Sequence, residues 1–491
     1  MIYRPGLIKY LGISFAVVFF LFGCSSGGGD TDAGGGGGVT GGGSTGSVTQ
    51  GTVAPFGTLG DLTDTGDLVN DGENWYETRV MGLGENGNVV GQTKVAGGPF
   101  KGAFLWDGVG MTYLGIHGQG GLDGVIAYNN GELVADPTKD AIPFIYSEAV
   151  AIGPNGEVIC NSTTGTNWPD ETEKRAFYWN GVTQIDLPPD ESDGDSAKWG
   201  QFSEAFDINT DIITFSREYL EKGGDILAFG YAINNVPRPA FPDYAATDIF
   251  GLAQIIDAGI VEPVDINNNN EAITNSVGTT VVFDDLITKG GADLGEIADA
   301  AGLAGGEETV GAAINDFPGT GHVVGTTGDK AFYWEGGSMI SCGDLGGGTS
   351  EATDINNLNQ VIGNSTTASG DTHAFVWRLN AGVGVMTDLG TLGGANSWAV
   401  DINNNGLVVG RSETGATITE GNVTYNVVHA CAWYNNIIYD LGIHSDFYDY
   451  DLANPFPFSE AIAVNDNNRI AGNSYSPNAH YRGFILDAVL P

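Results

Sequence analysis

The stretch that decides the fold begins at residue 350. Residues 350–357 read Ser-Glu-Ala-Thr-Asp-Ile-Asn-Asn, and residues 361–365 read Val-Ile-Gly-Asn-Ser. The chain continues with His-Ala-Phe-Val-Trp over residues 373–377 and with Asp-Leu-Gly over residues 388–390. This unit contains four short β-type runs separated by turn residues, which is typical of a small antiparallel sheet.

The same unit recurs along most of the chain. Positions equivalent to the Ile-Asn pair fall near residues 83, 152, 208, 266, 314, 355, 402 and 464, a mean spacing of about 54 residues. Four strands per unit, repeated about eight times, predict an all-β protein, a β-propeller of about eight four-stranded blades. Seven blades is the alternative, because residues 201–260 diverge strongly, and an open solenoid is the runner-up architecture.

The two ends of the repeat region complement each other. The final copy, which starts at Ser459, has no Asp-Leu-Gly run, whereas an orphan Gly57-Thr58-Leu59-Gly60 precedes the first copy. We therefore expect the N-terminal strand to pair with the last blade, which removes two free sheet edges and closes the ring.

The first residues resemble an export signal. Arg4 and Lys9 precede an apolar run that ends in Leu21-Phe22-Gly23-Cys24, and this pattern resembles the lipobox of bacterial lipoproteins. The resemblance implies that residues 1–23 are a signal peptide and that Cys24 is lipidated. We expect anchoring through Cys24 at the bacterial cell surface or in the periplasm, with Ser25 favouring the outer membrane.

Three segments follow from this organisation. After the signal peptide, residues 24–54 contain the lipidated Cys and a Gly-rich tether without apolar residues to bury, and residues 55–491 form one propeller domain. The 61 acidic residues against 18 basic ones give a net charge of −43, which excludes nucleic acid as a partner. We expect a monomer.

The repeat also resembles a known family. His373-Ala374-Phe375 and the run Asp388 to Gly394, together with the Ile-Asn-Asn and Val-Val-Gly motifs, resemble the bacterial extracellular HAF-repeat family. The resemblance implies a secreted or surface protein with repeat architecture. It supplies no catalytic residues.

Calcium is the first candidate ligand. Residues 401–406 read Asp-Ile-Asn-Asn-Asn-Gly and match the start of an EF-hand loop, but the twelfth position is Ser412 where a Glu is required. An Asn-rich hairpin turn is the favoured interpretation, and no cofactor is expected. The acids Asp190, Glu191, Asp193 and Asp195 are a second cation candidate, with a solvated insertion as the favoured interpretation.

Other recurrent residues divide into structural and binding candidates. Four Glu occupy one repeat phase, where they either line a central channel or cap local backbone groups: Glu148, Glu204, Glu351 and Glu460. Five Trp share another phase and are predicted to fill the core between blades: Trp106, Trp179, Trp334, Trp377 and Trp433. Cys160, Cys342 and Cys431 are expected to be buried free thiols.

Aromatic residues outside the repeat phase are the candidate ligand contacts. Phe447, Tyr448, Tyr450, Phe456 and Phe458 crowd one insertion, and Trp75, Trp168 and Trp199 lie in other irregular stretches. Exposed aromatics beside carboxylates suit sugar stacking or a protein partner, whereas packing of a long loop is the structural alternative.

The sequence therefore predicts a surface-anchored binding module with an unidentified ligand, such as a glycan or a surface protein. The six His show no metal-ligand spacing and no Gly-x-Ser-x-Gly elbow is present, so an enzyme is the less favoured interpretation. A carboxylate-dependent enzyme on extracellular polysaccharide and a calcium-stabilised adhesive protein remain the two rivals.

Overall fold

We analysed a computed structural model of the chain. The structure describes residues 60–61, 78–94, 101–108, 110–115, 126–129, 132–135, 147–154, 156–163, 174–182, 184–186, 202–209, 213–219, 226–232, 262–269, 271–276, 279–284, 292–296, 309–420, 422–442, 458–475 and 481–490. All regular structure in these ranges is β-strand, which confirms the predicted all-β class. None of the described segments is a helix that could cross a membrane.

The first half of the chain forms four of the sheets and one separate hairpin. After β1 (Gly60–Asp61), the first sheet contains β2 (Thr78–Leu83), β3 (Val89–Lys94), β4 (Lys101–Trp106) and β5 (Met111–Gly115). A hairpin that the repeat did not predict joins β6 (Ile126–Asn129) and β7 (Glu132–Ala135). The next sheets are β8 (Ser147–Ile152), β9 (Val158–Thr163), β10 (Lys174–Trp179) and β11 (Gln184–Asp186); β12 (Phe202–Ile208), β13 (Ile213–Tyr219) and β14 (Ile226–Ala232); and β15 (Glu262–Ile266), β16 (Ala272–Ser276), β17 (Thr279–Asp284) and β18 (Ala292–Glu296).

The second half repeats the same order of strands. Its sheets contain β19 (Thr309–Ile314), β20 (Val323–Thr327), β21 (Lys330–Glu335) and β22 (Ser338–Gly343); then β23 (Gly346–Ile355), β24 (Val361–Thr367), β25 (Thr372–Asn380) and β26 (Val383–Asp388). The last strands are β27 (Ser397–Ile402), β28 (Val408–Glu420), β29 (Val423–Tyr434), β30 (Ile437–Gly442), β31 (Phe458–Val464), β32 (Arg469–Tyr475) and β33 (Tyr481–Asp487).

Two departures from the predicted pattern stand out. The sheet of β12–β14 has three described strands where four were expected. Strands β27–β30 and β31–β33 were expected as separate blades, but a single parallel pair, Val428 with Phe458, joins them into one eight-stranded sheet. Each sheet is open, running from one edge to the other.

Every repeat carries the same irregularity in its first strand. The first strands are β2, β8, β12, β15, β19, β23, β27 and β31, and each has a register shift against its neighbour, as between Ala352 and Asp354. A bulge bends the strand and re-aims its side chains. In five of the eight repeats a glycine stands opposite the bulge. At Gly363 an added Cβ would meet the carbonyl oxygen of Glu351, so only glycine fits there.

The core lies between successive sheets. Tyr333 and Val324 of one sheet pack with Ile355 and Trp377 of the next, and equivalent clusters join other neighbours. Trp106, Trp334, Trp377 and Trp433 are buried in these clusters and Trp179 is partly buried against one, which confirms the prediction for the repeat-phase Trp.

The contacts between sheets continue from the last repeat to the first. The first strands contact one another in chain order, and β31 also contacts β2. One core cluster contains Phe104 and Trp106 together with Ile462 and Ala471. At the outer edge of β33, Gly60 pairs with Ile485 and Asp61 with Phe484. The N-terminal strand thus joins the last repeat as expected, although the sequence placed that strand at residues 57–60.

Candidate functional site

The repeats place equivalent residues at two opposite ends of the sheets. We call the end that carries Ser147, Ser350, Ser397 and Ser459 the serine face. We call the end that carries the turns of Asn267, Asn315, Asn356, Asn403 and Asn465 the asparagine face. First strands run from the serine face to the asparagine face, so the hairpin between second and third strands lies at the serine face.

The calcium candidate at residues 401–406 is a hydrogen-bonded turn on the asparagine face. The Asn403 Oδ1 accepts the backbone N–H of Asn405 at 3.0 Å and of Leu407 at 2.9 Å. The Asp401 carboxylate accepts the N–H of Ile402 at 2.8 Å and of Val464 at 2.7 Å. The turn interpretation is therefore confirmed, and no His, Cys, Asp or Glu cluster in the described ranges could hold a metal ion.

The turn asparagines also join neighbouring sheets. Each donates its side-chain N–H to the backbone carbonyl of the equivalent residue one repeat later, as Asn403 does to Asn465 at 2.9 Å. The series runs from Asn209 to Asn267, Asn315, Asn356, Asn403, Asn465 and Gly84. The Asn-rich motif is thus a structural ladder between the sheets, and it reaches from the last repeat to the first.

The serines tie each sheet to the one before it. Ser397 Oγ accepts the Ala374 N–H at 3.0 Å and donates to the Gly390 carbonyl at 2.8 Å. Ser147, Ser350 and Ser459 make the same two contacts to the preceding repeat. This explains why Ser, Ala and Gly recur together in the sequence.

A pair of buried acids lies between two first strands. Asp354 and Asp401 are 5% and 3% exposed, and Asp354 accepts the Ile402 N–H of the next sheet at 3.2 Å. Burial and the adjacent Asp401 raise the pKa of Asp354 well above its usual value, and burial also raises the pKa of Asp401. Raised pKa values favour the neutral form of these carboxyls, which reduces the repulsion between two buried acids on neighbouring strands.

The recurrent Glu position differs in exposure from one repeat to another. Glu148, Glu204 and Glu460 are mostly buried, whereas Glu351 is exposed. The Asn364 Nδ2 donates to Glu351 at 3.1 Å, and the Asn364 Oδ1 accepts the Ala399 N–H of the next sheet at 2.9 Å. Glu351 thus pairs with a side-chain amide and not with the backbone groups that the favoured interpretation assigned to it.

In the sheet of β27–β30, this position is occupied by Trp398 instead of Glu. The Arg411 guanidinium lies over the Trp398 ring, 5.0 Å from its centroid, and Arg411 donates to Glu460 of the following repeat at 2.7 Å. Glu351, Asn364, Trp398, Arg411 and Glu460 thus form a connected series at the serine face, which we call the first-strand arc. Trp398 was not among the residues predicted to contact a ligand, although its replacement of Glu at this phase was the available signal.

A projecting hairpin stands beside the arc on the same face. We call residues 413–428 the arm, since β28 and β29 extend here beyond the other hairpins. Glu413 holds its base, accepting the N–H groups of Ala395 and Asn396, each at 3.1 Å, and the Asn426 amide at 2.9 Å. The ring of Tyr425 contacts Phe458 edge-on at 6.3 Å between centroids.

Two His–Asp pairs lie further out on the serine face. His373 Nδ1 is 2.9 Å from the Asp388 carboxylate, and His429 is equally close to Asp440. The hydrogen bond to Asp388 raises the pKa of His373. In another repeat the same place holds a Lys330–Asp344 ion pair, so a basic side chain paired with Asp recurs in three repeats.

Several predicted residues lie outside the described part of the chain. These are the lipidation candidate Cys24, the ligand-contact candidates Phe447, Tyr448, Tyr450, Phe456 and Trp199, and also Trp75, Trp168, Asp190, Glu191, Asp193 and Asp195. Of the aromatic insertion, Phe458 is described. Its contact with Tyr425, which the sequence did not indicate, places an aromatic pair beside the arm.

The predicted thiols are buried. Cys160, Cys342 and Cys431 are free and buried, as expected. Burial raises the pKa of the Cys160 and Cys431 thiols, which disfavours the nucleophilic thiolate form of both.

No family model and no curated protein matches the chain. Among solved structures it is similar to an Aleuria aurantia lectin mutant in complex with Fucα1-6GlcNAc, at 9% identity and a TM-score of 0.27, covering 62% of this chain and 92% of that chain. It is also similar to TolB from Acinetobacter baumannii, at 10% identity and a TM-score of 0.27, covering 70% of this chain and 79% of that chain. A Penicillium chrysogenum α-L-arabinanase complexed with arabinobiose is 12% identical with a TM-score of 0.25, covering 70% of this chain and 93% of that chain. All three are β-propeller folds, but TM-scores this low carry no argument about the site or the function.

Proposed function

We propose that the chain is a lipid-anchored, extracytoplasmic β-propeller of eight blades that acts as a binding module. The ring is supported by the first strands, which contact one another in succession from β2 to β31 and again from β31 to β2. Pairing of β1 with β33 supplies the fourth strand of the last blade. In a propeller the first strands are innermost, so the first-strand arc lines the mouth of the central channel at the serine face.

The sequence alone supports the cellular location. A basic start, an apolar run and Leu-Phe-Gly-Cys ending at Cys24 direct export and lipidation, and residues 25–54 form a tether about 30 Å long on average. Two or three acyl chains on Cys24 anchor the protein stably in a bacterial membrane, with the outer membrane favoured. Through this anchor the protein contacts membrane lipids.

Lipidation is tested by substitution. The Cys24→Ala chain should leave the membrane fraction and fail to incorporate labelled palmitate, because its sulfur carries the anchor. Ser26→Ala is the matched control and should remain membrane-bound. A Cys24→Ala chain that still partitions into detergent with the membranes would refute the anchor.

The first-strand arc carries the binding proposal. It brings the exposed Glu351 carboxylate of one repeat together with the Trp398 indole and the Arg411 guanidinium of the next, and Glu460 of the third repeat holds the guanidinium. The Asn ladder and the serine contacts are structural hydrogen bonds that recur between repeats. Trp398 is not explained by such a recurring contact. An extracellular glycan or a surface protein is the ligand class that such a surface suits.

A binding screen tests the function. The detergent-solubilised full chain is presented to a glycan array and to isolated bacterial surface proteins, with the Trp398→Ala chain in parallel. Binding that depends on Trp398 is the expected result, and a screen without any such ligand would contradict the proposal. Release of new reducing ends from bound polysaccharide, lost in Glu351→Gln, would favour the carboxylate-dependent enzyme instead.

A further inference from the structure

Trp398 differs from the five Trp of the repeat phase. Those residues lie in or against the core clusters between sheets, whereas Trp398 is on a first strand, partly exposed, and belongs to none of the clusters. Four other repeats carry Glu at its position. An indole that the packing does not require, at a partly exposed position, points to contact with something outside the chain.

The indole is held in place before any ligand arrives. Arg411 lies over the ring at 5.0 Å, and its guanidinium is fixed in turn by Glu460, whose side chain is 8% exposed. Because Arg411 is paired with Glu460, its positive charge is balanced within the protein. A stacking surface held in one orientation loses little conformational entropy on binding, which raises affinity.

Glu351 supplies a polar group on the preceding repeat. Its carboxylate is tied through Asn364 to the backbone of Ala399, the residue after Trp398, and the side chain is exposed. A carboxylate accepts strong hydrogen bonds from hydroxyl groups. The arc therefore combines an aromatic surface with an acceptor for hydroxyls, and its Arg is already paired.

We infer that the first-strand arc binds a neutral pyranose unit of a glycan, whose C–H face stacks on Trp398 and whose hydroxyls donate to Glu351. The inference rests on the proposed binding function and narrows it to one ligand class. Uronic and sulfated sugars are disfavoured, because they meet Glu351 and a chain of net charge −43.

Calorimetric titration of the full chain tests this inference. The probes are neutral oligosaccharides of glucose, galactose, mannose and xylose, with the corresponding uronate oligomers alongside. We expect at least one neutral oligosaccharide to bind. The corresponding uronate oligomer should bind about tenfold more weakly, since its carboxylates are repelled by the negative charge at the site. Trp398→Ala should weaken binding by about tenfold or more, as for an interface anchor, and Trp398→Phe should restore most of it.

Two further variants separate the arc from general effects. Phe317→Ala removes a partly exposed aromatic from the asparagine face, where it stacks on His322, and should leave binding unchanged. Glu351→Gln should reduce the preference for neutral over acidic sugars by about threefold or more, since it removes the repelling charge.

The outcomes distinguish this inference from the proposed function. No binding of any neutral probe at 10 mM, set here as roughly the weak limit of specific recognition, overturns the inference. If the screen above then finds a protein ligand that needs Trp398, the binding function stands without the sugar. If the Trp398→Ala chain binds the sugar as tightly as the wild type does, the site lies elsewhere and the inference is also overturned.

Discussion

At the scale of residues, Asn403 shows how one side chain serves both its own turn and the neighbouring sheet. It is 3% exposed, its oxygen caps two backbone N–H groups of the turn, and its amide donates to Asn465. Five other asparagines or their equivalents repeat the inter-sheet contact. The Ile-Asn-Asn motif therefore recurs because its asparagines satisfy buried backbone groups, and no ligand is needed to explain the motif.

Substitution of Asn403 can separate its two contributions. Asn403→Asp keeps the oxygen that caps the turn but loses the donation to Asn465, and we expect it to lower the free energy of unfolding by about 1–3 kcal/mol. Asn403→Ala, which also uncaps the turn, should cost more. Chemical unfolding measures both, with Leu358→Ala, on an exposed apolar residue of the equivalent turn one repeat earlier, as the near-neutral control.

The Asp354–Asp401 pair predicts an unusual dependence on pH. Because the pKa of Asp354 is raised in the folded protein, its contribution to stability is complete below the unfolded pKa of about 4 and is lost as the pH rises through the folded pKa. The advantage of the wild type over Asp354→Asn should therefore shrink between pH 4 and pH 8.

The comparison uses urea unfolding of both chains at several pH values. Asp388→Asn is the matched control, since the pKa of Asp388 is lowered and its contribution is instead lost as the pH falls. A difference between wild type and Asp354→Asn that stays constant from pH 4 to pH 8 would show that the two carboxyls do not share a proton.

At the scale of elements, the four-strand unit could be predicted from the sequence in considerable detail. The runs around Val361, Phe375 and Leu389 are apolar at fixed distances, so their strands and turns follow from local pattern. The bulge in each first strand was not predicted, although Gly363 opposite it was visible. Only the paired strands show that this glycine makes room for the carbonyl of Glu351.

The arm is an element that the repeat pattern does not anticipate. An isolated two-stranded hairpin is marginally stable in water, so its base must be held. Glu413 holds it by accepting three hydrogen bonds, two of them from the preceding connection. No prediction was made from the sequence for residues 413–428, and their regular pairing is visible only in the structure.

Removal of the Glu413 carboxylate should loosen the arm locally. In Glu413→Ala the amides of residues 414–428 should exchange with deuterium about tenfold faster or more, because about 1.4 kcal/mol of local anchoring corresponds to that factor. Hydrogen exchange with mass spectrometry measures this. Thr419→Ala, which removes one exposed hydrogen bond to Thr424, is the control, and equal exchange in both variants would contradict the anchoring role.

At the scale of the whole molecule, the N-terminal strand links the two ends of the repeat region. Gly60 and Asp61 pair with Ile485 and Phe484 at the edge of the last sheet. Deletion of residues 55–61 leaves that edge unpaired and should lower the Tm by about 1–2 °C, roughly the effect of losing 1–2 kcal/mol in a domain of more than 400 residues.

Differential scanning calorimetry of the full chain checks this prediction. Deletion of residues 34–40, seven residues of the Gly-rich tether, is the matched control for length and should leave the Tm unchanged. Equal melting of the two deletion variants would remove support for ring closure through β1.

The sequence by itself determined the all-β class, the repeating unit, the buried Trp phase and the interpretation of the Asn-rich turns. These properties follow from local periodicity and turn chemistry, which are written into neighbouring residues. Tertiary structure alone decided which repeats share hydrogen bonds, that Asp354 meets Asp401, and that Trp398, Arg411 and Glu460 form one series. Those contacts join residues from different repeats, and their geometry depends on how the sheets pack, which no local pattern encodes.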